Sequence, residues 1–170
     1  MKATTRYDRF MLRLMNDTRH QRVHATRARR RGLVAAHVAL TAAWLATLLG
    51  LEDGRPDPLR LVALLVLTVA WCLVTGMLNL ATRGLLELRA RVLDERQLAD
   101  RGRAFALAHR VFLGVQGAAL LWVFLAYGGG DAQVSVRTLA GTVVVLLAAH
   151  WLLPLWAAAL TARDAPAEDD

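Results

Sequence analysis

Residues 82–110 read TRGLLELRARVLDERQLADRGRAFALAHR, and this charged stretch separates two pairs of long apolar segments. It contains a helix-start signal, because Asp94 can accept a hydrogen bond from the backbone N–H of Gln97 while the Gln97 side chain returns one to the backbone of Asp94. Leu93 and Leu98 then occupy the two positions of a hydrophobic staple. The centre of the chain is therefore predicted to be a short, structured and charged connector.

Four apolar blocks flank this connector, two on each side. The chain of 170 residues is 56% hydrophobic and 21% charged, but the charges avoid these blocks, and none has an Asp, Glu or Lys in its interior. A bilayer core of roughly 30 Å needs about 20 helical residues, which each block supplies. A helix of a soluble bundle would need a polar face. The fold prediction is all-α, a four-transmembrane-helix bundle of two hairpins, with spans at about 32–51, 61–81, 106–127 and 138–162.

The basic residues predict the orientation of the bundle. Of the 21 Lys and Arg residues, ten lie in residues 1–31, seven in 82–110 and one in the acidic tail, 163–170. This tail is predicted to be disordered. Positive charges in short loops stay on the cytoplasmic side. Both termini and the connector, 82–105, are therefore predicted to be cytoplasmic. The chain has no Ile and one Lys, which suggests a GC-rich bacterial genome and hence a multi-pass protein of the inner membrane.

Residues 1–31 are predicted to contain a basic amphipathic helix. Thr5 and Asp8 have the spacing of a capping box, and apolar residues recur at helical spacing between arginines. Such a helix is suited to lie on the anionic inner leaflet, or to dock on a protein partner or on the connector. The candidate partner- or lipid-binding residues are Phe10, Met11, Leu14, Arg9, Arg13, Glu95 and Arg96.

Several other classes of function are disfavoured by the sequence. The net charge of +7 would allow phosphate contacts, but no nucleic-acid-binding motif accompanies it, so nucleic acid is an unlikely partner. His20 and His24 have the spacing of a chelating pair, yet a metal site usually needs three or four protein ligands. No P-loop, nucleophile elbow, zincin motif or intramembrane carboxylate pair is present. We therefore assign no catalytic residue, no metal site and no cofactor, and do not expect an enzyme.

Polar residues within the spans support an alternative function. His37, Asn79, Gln116 and His150 are intramembrane polar groups, which are functional candidates by default. They would form the polar track of a small transporter or channel subunit in which histidine carries protons. Pro154 removes the helical partner of the His150 carbonyl, which predicts a kink. Small multidrug-type exchangers use an intramembrane carboxylate, which this chain lacks, so transport stays the second hypothesis.

The sequence Leu-Asp-Glu-Arg-Gln at 93–97, followed by Arg101, Arg103 and Ala104 at the head of a membrane helix, resembles a "DER" signature. Small uncharacterised bacterial multi-pass membrane proteins carry such a signature, so the resemblance implies architecture and no mechanism. The expected function is that of a non-catalytic integral membrane protein, a scaffold or accessory subunit. Its basic cytoplasmic face would bind a protein partner or inner-leaflet lipid. The candidate partners are membrane lipids, a cytoplasmic or membrane protein, and a second copy of the chain.

Overall fold

The computed structural model describes residues 5–15, 26–50, 57–129 and 133–162. The histidine pair His20 and His24 and the predicted acidic tail lie outside these ranges. Within them the chain is helical and contains no strand. Its elements are α1 (Arg6–Met15), α2 (Arg27–Leu49), α3 (Pro58–Ala81), a 3₁₀ turn (Ala90–Val92), α4 (Glu95–Tyr127) and α5 (Val136–Thr161).

The four helices α2 to α5 are each long and apolar enough to cross a membrane, which confirms the predicted number of apolar helices. The molecule is thus consistent with a multi-pass membrane protein. The longest of them, α4, has 33 residues and measures about 50 Å at ~1.5 Å per residue. This length exceeds the roughly 30 Å of a bilayer core. Residues 95–105, predicted as part of the connector, form the first part of this helix.

Each long helix begins at a polar residue whose side chain accepts a hydrogen bond from a backbone N–H of the first turn. These residues are Thr26, Asp57, Asp94 and Ser135. Their side chains satisfy N–H groups that have no partner within the helix. At Asp94 the predicted capping box is confirmed, with Gln97 N–H to Asp94 Oδ1 at 2.6 Å and Asp94 N–H to Gln97 Oε1 at 3.0 Å.

The helix α5 holds the bundle together, because it packs against each of the other three long helices. All of its buried residues lie between Leu152 and Ala159, in the half that is nearer to the connector. On one side Leu155 and Ala159 pack with residues of α2 and α3, and on the other Ala157 and Ala158 pack with alanines of α4. Small side chains let helix backbones approach closely in lipid. The core is thus concentrated at the connector end of the bundle.

The opposite half of the bundle is loosely packed. None of the described residues of α5 before Leu152 is buried, and large apolar side chains on α3 and α4 are exposed, such as Leu65, Leu120 and Leu125. Exposed apolar side chains on spans of this length are those expected to face lipid. The helix α5 continues through Pro154 to Thr161. The kink predicted there stays a prediction.

Candidate functional site

The helix α1 is attached to the connector through one carboxylate. Asp8 is only 1% exposed, and its Oδ2 accepts hydrogen bonds from Nε of Arg91, at 3.1 Å, and from Nη2 of the same residue. The Nε atom of Arg89 lies 3.9 Å from Oδ1 of Asp8. The two N–H donors of Arg91 converge on the same carboxylate oxygen, and hydrogen bonds between charged groups are stronger than those between neutral ones. Asp8 therefore fixes the position of α1 on the connector.

The same carboxylate also caps α1. The N–H of Thr5 donates to Oδ2 of Asp8 at 2.9 Å, and the N–H of Asp8 donates to Oγ1 of Thr5 at 3.2 Å, so the predicted capping box is present. The backbone N–H of Thr5, together with the Thr5 hydroxyl and Arg91, lowers the pKa of Asp8 from 3.8 to about 2, against the opposing effect of burial. Asp8 is thus ionised at every physiological pH.

A glycine in the connector gives α1 its second point of contact. Gly84 has a φ of +67°, a conformation that side chains with a Cβ rarely adopt. A Cβ on Gly84 would lie 2.6 Å from Cγ of Met15, so α1 packs directly against the backbone there. Arg89 adds a third contact, because its guanidinium lies 5.4 Å from the ring centroid of Tyr7. Together with the Asp8 pair, these contacts fix the side of α1 that faces the connector.

The residues predicted to bind lipid or a partner lie mostly on the other side of α1. Phe10 is 61% exposed and Leu14 is 45% exposed, while Arg9 and Arg13 are exposed and Met11 is partly buried. Arg6, Arg9, Phe10 and Arg13 line one shallow depression on this surface. The exposed side of α1 therefore carries apolar and cationic groups side by side.

The start of α4 presents a second charged surface. Glu95 and Arg96, which were predicted to bind a partner or lipid, are exposed. The arginines that follow make contacts within the chain: Arg101 donates to the carbonyl of Leu88 at 2.9 Å, and Arg103 pairs with Asp100. The Arg101 guanidinium also lies 5.9 Å from the centroid of Phe105. Glu95 and Arg96 are thus the better placed of these charges for an external contact.

A buried arginine joins the first and last membrane helices. Arg30 is 2% exposed, and it donates from Nε to the carbonyl of Ala159 at 3.2 Å and from Nη2 to that of Ala162 at 2.6 Å. These carbonyls belong to the C-terminal turn of α5, where the helix dipole favours a cation. The sequence had indicated only that the arginines before the first span set its orientation. No local pattern could link residues so far apart.

His37 is the centre of a hydrogen-bonded network inside the bundle. It is fully buried, its Nδ1 accepts from the indole N–H of Trp156 at 2.9 Å, and its Nε2 lies 2.8 Å from Oγ1 of Thr75. Because Nδ1 accepts, Nε2 carries the proton and donates to Thr75. Thr75 in turn donates to the carbonyl of Trp71 at 2.7 Å. A neutral His37 thus links α2, α3 and α5.

Tryptophans complete this network, although none of them was among the candidate residues predicted from the sequence. The ring of Trp71 lies 5.1 Å from that of His37, and its N–H donates to Oγ1 of Thr41 at 2.9 Å. Trp44 makes a similar bond to Thr68, also at 2.9 Å. A buried indole usually finds an acceptor for its single N–H. The tryptophans spaced along the apolar segments were therefore the sequence feature that could have indicated hydrogen bonds between the helices. The network gives these polar groups hydrogen-bond partners at the contacts between helices.

The other residues of the predicted polar track do not join His37. Gln116 is exposed on α4, and His150 is exposed with its ring 4.9 Å from that of Phe112. Asn79 lies at the connector end of α3, where its backbone carbonyl accepts from the N–H of Gly84. Among the described residues, the hydrogen bonds and ring contacts of His37 therefore include none of these three groups.

Within the described residues no group of three or more His, Cys, Asp and Glu is arranged to hold a metal ion. Comparisons of the chain with protein-family models, with curated proteins and with solved structures gave no match.

Proposed function

We propose that this chain is a non-catalytic protein of the bacterial inner membrane that binds anionic lipid head groups through α1, at its basic cytoplasmic face. In this proposal α2–α3 and α4–α5 are two membrane hairpins, and both termini are cytoplasmic. Eighteen of the 21 Lys and Arg residues then lie on the cytoplasmic side, in agreement with the positive-inside rule. The connector would hold α1 at the membrane surface as an accessory or scaffold element.

The observation that carries the proposal is the exposed apolar face of a helix whose position is already fixed. At about 100° per residue, Asp8 and Met15 lie within about 20° of each other and face the connector. Phe10 is about 160° away from Asp8 and Leu14 about 120° away, and both are exposed. Burying such side chains is worth roughly 1.5–3 kcal/mol each. Lipid at the head-group boundary is the surface that covers a helix of this kind.

The charges on α1 specify the type of lipid. Arg6, Arg9 and Arg13 are exposed and lie beside Phe10. Each Lys or Arg near an anionic leaflet contributes about 1 kcal/mol of attraction, so three arginines favour anionic over zwitterionic head groups.

The attachment of α1 also supports a position at the bilayer surface. Met15 contacts Gly84, which follows the last residue of α3, Ala81, by three residues. Those residues span at most about 10 Å of chain. The C-terminal end of α1 is therefore held close to the level at which α3 leaves the membrane.

A fluorescent label tests this proposal in the full chain. With Cys72→Ala as background, an environment-sensitive dye at Leu14→Cys is compared in vesicles of phosphatidylcholine alone and in 3:1 phosphatidylcholine–phosphatidylglycerol vesicles. We expect blue-shifted emission and quenching by lipid nitroxides, both stronger with phosphatidylglycerol. A dye at Arg96→Cys is the matched control, and it should stay accessible to iodide. Iodide-accessible dye at position 14 in both vesicles would contradict lipid binding and favour a protein partner.

A further inference from the structure

A cleft of about 490 Å³ opens between α2, α4 and α5 at the end of the bundle opposite the connector. Along α5 it extends from Arg137 to Leu146, and α4 lines it with Ala119 and Trp122. Leu49, the last residue of α2, lines it from the third helix. The volume lies within the roughly 300–1,000 Å³ of typical ligand sites. None of these residues takes part in the α1 contacts or in the His37 network.

The cleft follows from the uneven packing of α5. Near the connector α5 is buried on both sides, whereas before Leu152 none of its described residues is buried. The extensive helix contacts within the described residues do not include a pair between α2 and α4. Both helices contact α5 and leave its surface open between them. Gly141 adds depth, because even a Cβ there would only just touch Leu49, at 3.7 Å.

The lining of the cleft ends at Val115 on α4 and at Leu146 on α5. Phe112 lies about one turn beyond the lining residue Val115, and His150 about one turn beyond Leu146. Their rings are 4.9 Å apart, so Phe112 and His150 lie against each other just beyond the end of the lining. The distance from Arg137 to Leu146 is about 14 Å at ~1.5 Å per residue. This length matches one leaflet, which is half of a core of roughly 30 Å.

We propose that this cleft binds one acyl chain of an anionic phospholipid from the adjacent leaflet, with the lipid phosphate at Arg137. The lining is mostly apolar, as an acyl chain requires, and Arg137, an exposed residue, lies at its rim. A guanidinium matches the geometry of phosphate oxygens. Trp122 and Tyr127, whose rings are 6.2 Å apart, lie near the same rim, where aromatic residues meet lipid head groups.

A second copy of the chain is a less suitable occupant. A transmembrane helix would run along the full core of roughly 30 Å, whereas the cleft ends at half that depth. Its charged rim also favours an anion over another apolar helix. The site is independent of α1, so each proposal can fail without the other.

Quenching by brominated lipids tests the site in the full chain. Trp122→Phe identifies the part of the tryptophan fluorescence that reports on the cleft. We expect brominated phosphatidylglycerol to quench this part more effectively than brominated phosphatidylcholine. The expected ratio is about fivefold, because one Arg near an anionic surface contributes about 1 kcal/mol of attraction. Arg137→Gln should abolish the preference. Arg60→Gln is the matched control, because Arg60 lies near the same end and donates to the carbonyl of Gly50.

A variant that fills the cleft tests the contribution of the groove to lipid binding separately from the contribution of the Arg137 charge. Gly141→Leu should reduce quenching by both lipids, whereas Gly117→Leu, on an open surface of α4, should leave it unchanged. A phosphatidylglycerol preference that persists in Arg137→Gln would overturn the proposal. So would unchanged quenching in Gly141→Leu, or a dimer in native mass spectrometry that Gly141→Leu converts to a monomer.

Discussion

The indole N–H of Trp156 donates to Nδ1 of His37 at 2.9 Å, across 119 positions of sequence. This bond fixes the neutral tautomer of the histidine, whose other nitrogen donates to Thr75. A proton on Nδ1 would face the Trp156 N–H and break the contact. Because His37 is fully buried with both nitrogens bonded, its role in the bundle is to hold three helices together.

We expect His37→Ala to destabilise the bundle by about 1–3 kcal/mol, because it leaves the Trp156 donor buried without a partner. Unfolding in mixed micelles with increasing sodium dodecyl sulfate measures this change. Trp156→Phe keeps the bond to Thr75 but leaves Nδ1 of the buried His37 without its donor, so it should cost a similar amount. His150→Ala is the control, since His150 is exposed. An equal loss from His37→Ala and His150→Ala would contradict a special role for His37.

Local features of this chain are predictable from sequence, whereas the pairs that position the helices are not. Asp94 and Gln97 are three residues apart, so their capping box follows from a local rule. Arg30 meets Ala159 only because α2 and α5 are neighbours, and no periodicity encodes that contact. The same limit applies to histidines. With a proline four residues later, His150 is the more unusual histidine in sequence, but packing alone decides that His37 is buried.

The attachment of α1 should depend on pH through Asp8. The pKa of this carboxyl is lowered from 3.8 to about 2 by the backbone N–H of Thr5, by the Thr5 hydroxyl and by Arg91. Because the pKa is lowered, the ionised Asp8 contributes its full stabilisation of the α1 attachment above about pH 4. That stabilisation is lost as the pH falls through 2. We expect the protection of the α1 amides from hydrogen exchange, corrected for intrinsic rates, to decrease over that window. In Asp8→Asn the protection should be weak at every pH, and a wild-type-like profile would contradict the prediction.

The charge of Arg30 should stabilise the end of α5. Arg30→Gln removes the cation from the two terminal carbonyls, and a favourable, partly buried dipole contact is worth up to about 2 kcal/mol. Arg30→Lys should recover only part of the loss, since an ammonium lacks the planar fork of a guanidinium. Hydrogen exchange over residues 157–162 measures the effect. The exposed neighbour Arg31 is the control, and an equal effect of Arg31→Gln would indicate that only net charge matters.

The orientation of the bundle is a prediction from charge that reporter fusions can check. A reporter after Asp170 should lie in the cytoplasm, because the N-terminal and connector arginines remain on that side. One inserted at Gly129, between α4 and α5, should lie on the opposite side. Two reporters on the same side would contradict the four-span topology, and both reversed would contradict the orientation alone.

The capping box of α4 makes the last prediction, because a cap and a binding charge respond differently to the same substitutions. If Asp94 acts only on backbone donors, Asp94→Ala should cost about 0.5–2 kcal/mol, seen as faster exchange over residues 95–100, while Asp94→Asn is tolerated because Asn caps nearly as well. Glu95 is exposed, so Glu95→Gln should leave this exchange almost unchanged. It should weaken the binding of any partner that contacts the Glu95 carboxylate. Equal damage from Asp94→Ala and Asp94→Asn would show that the carboxylate charge, rather than the hydrogen bond to Gln97, is what the helix start needs.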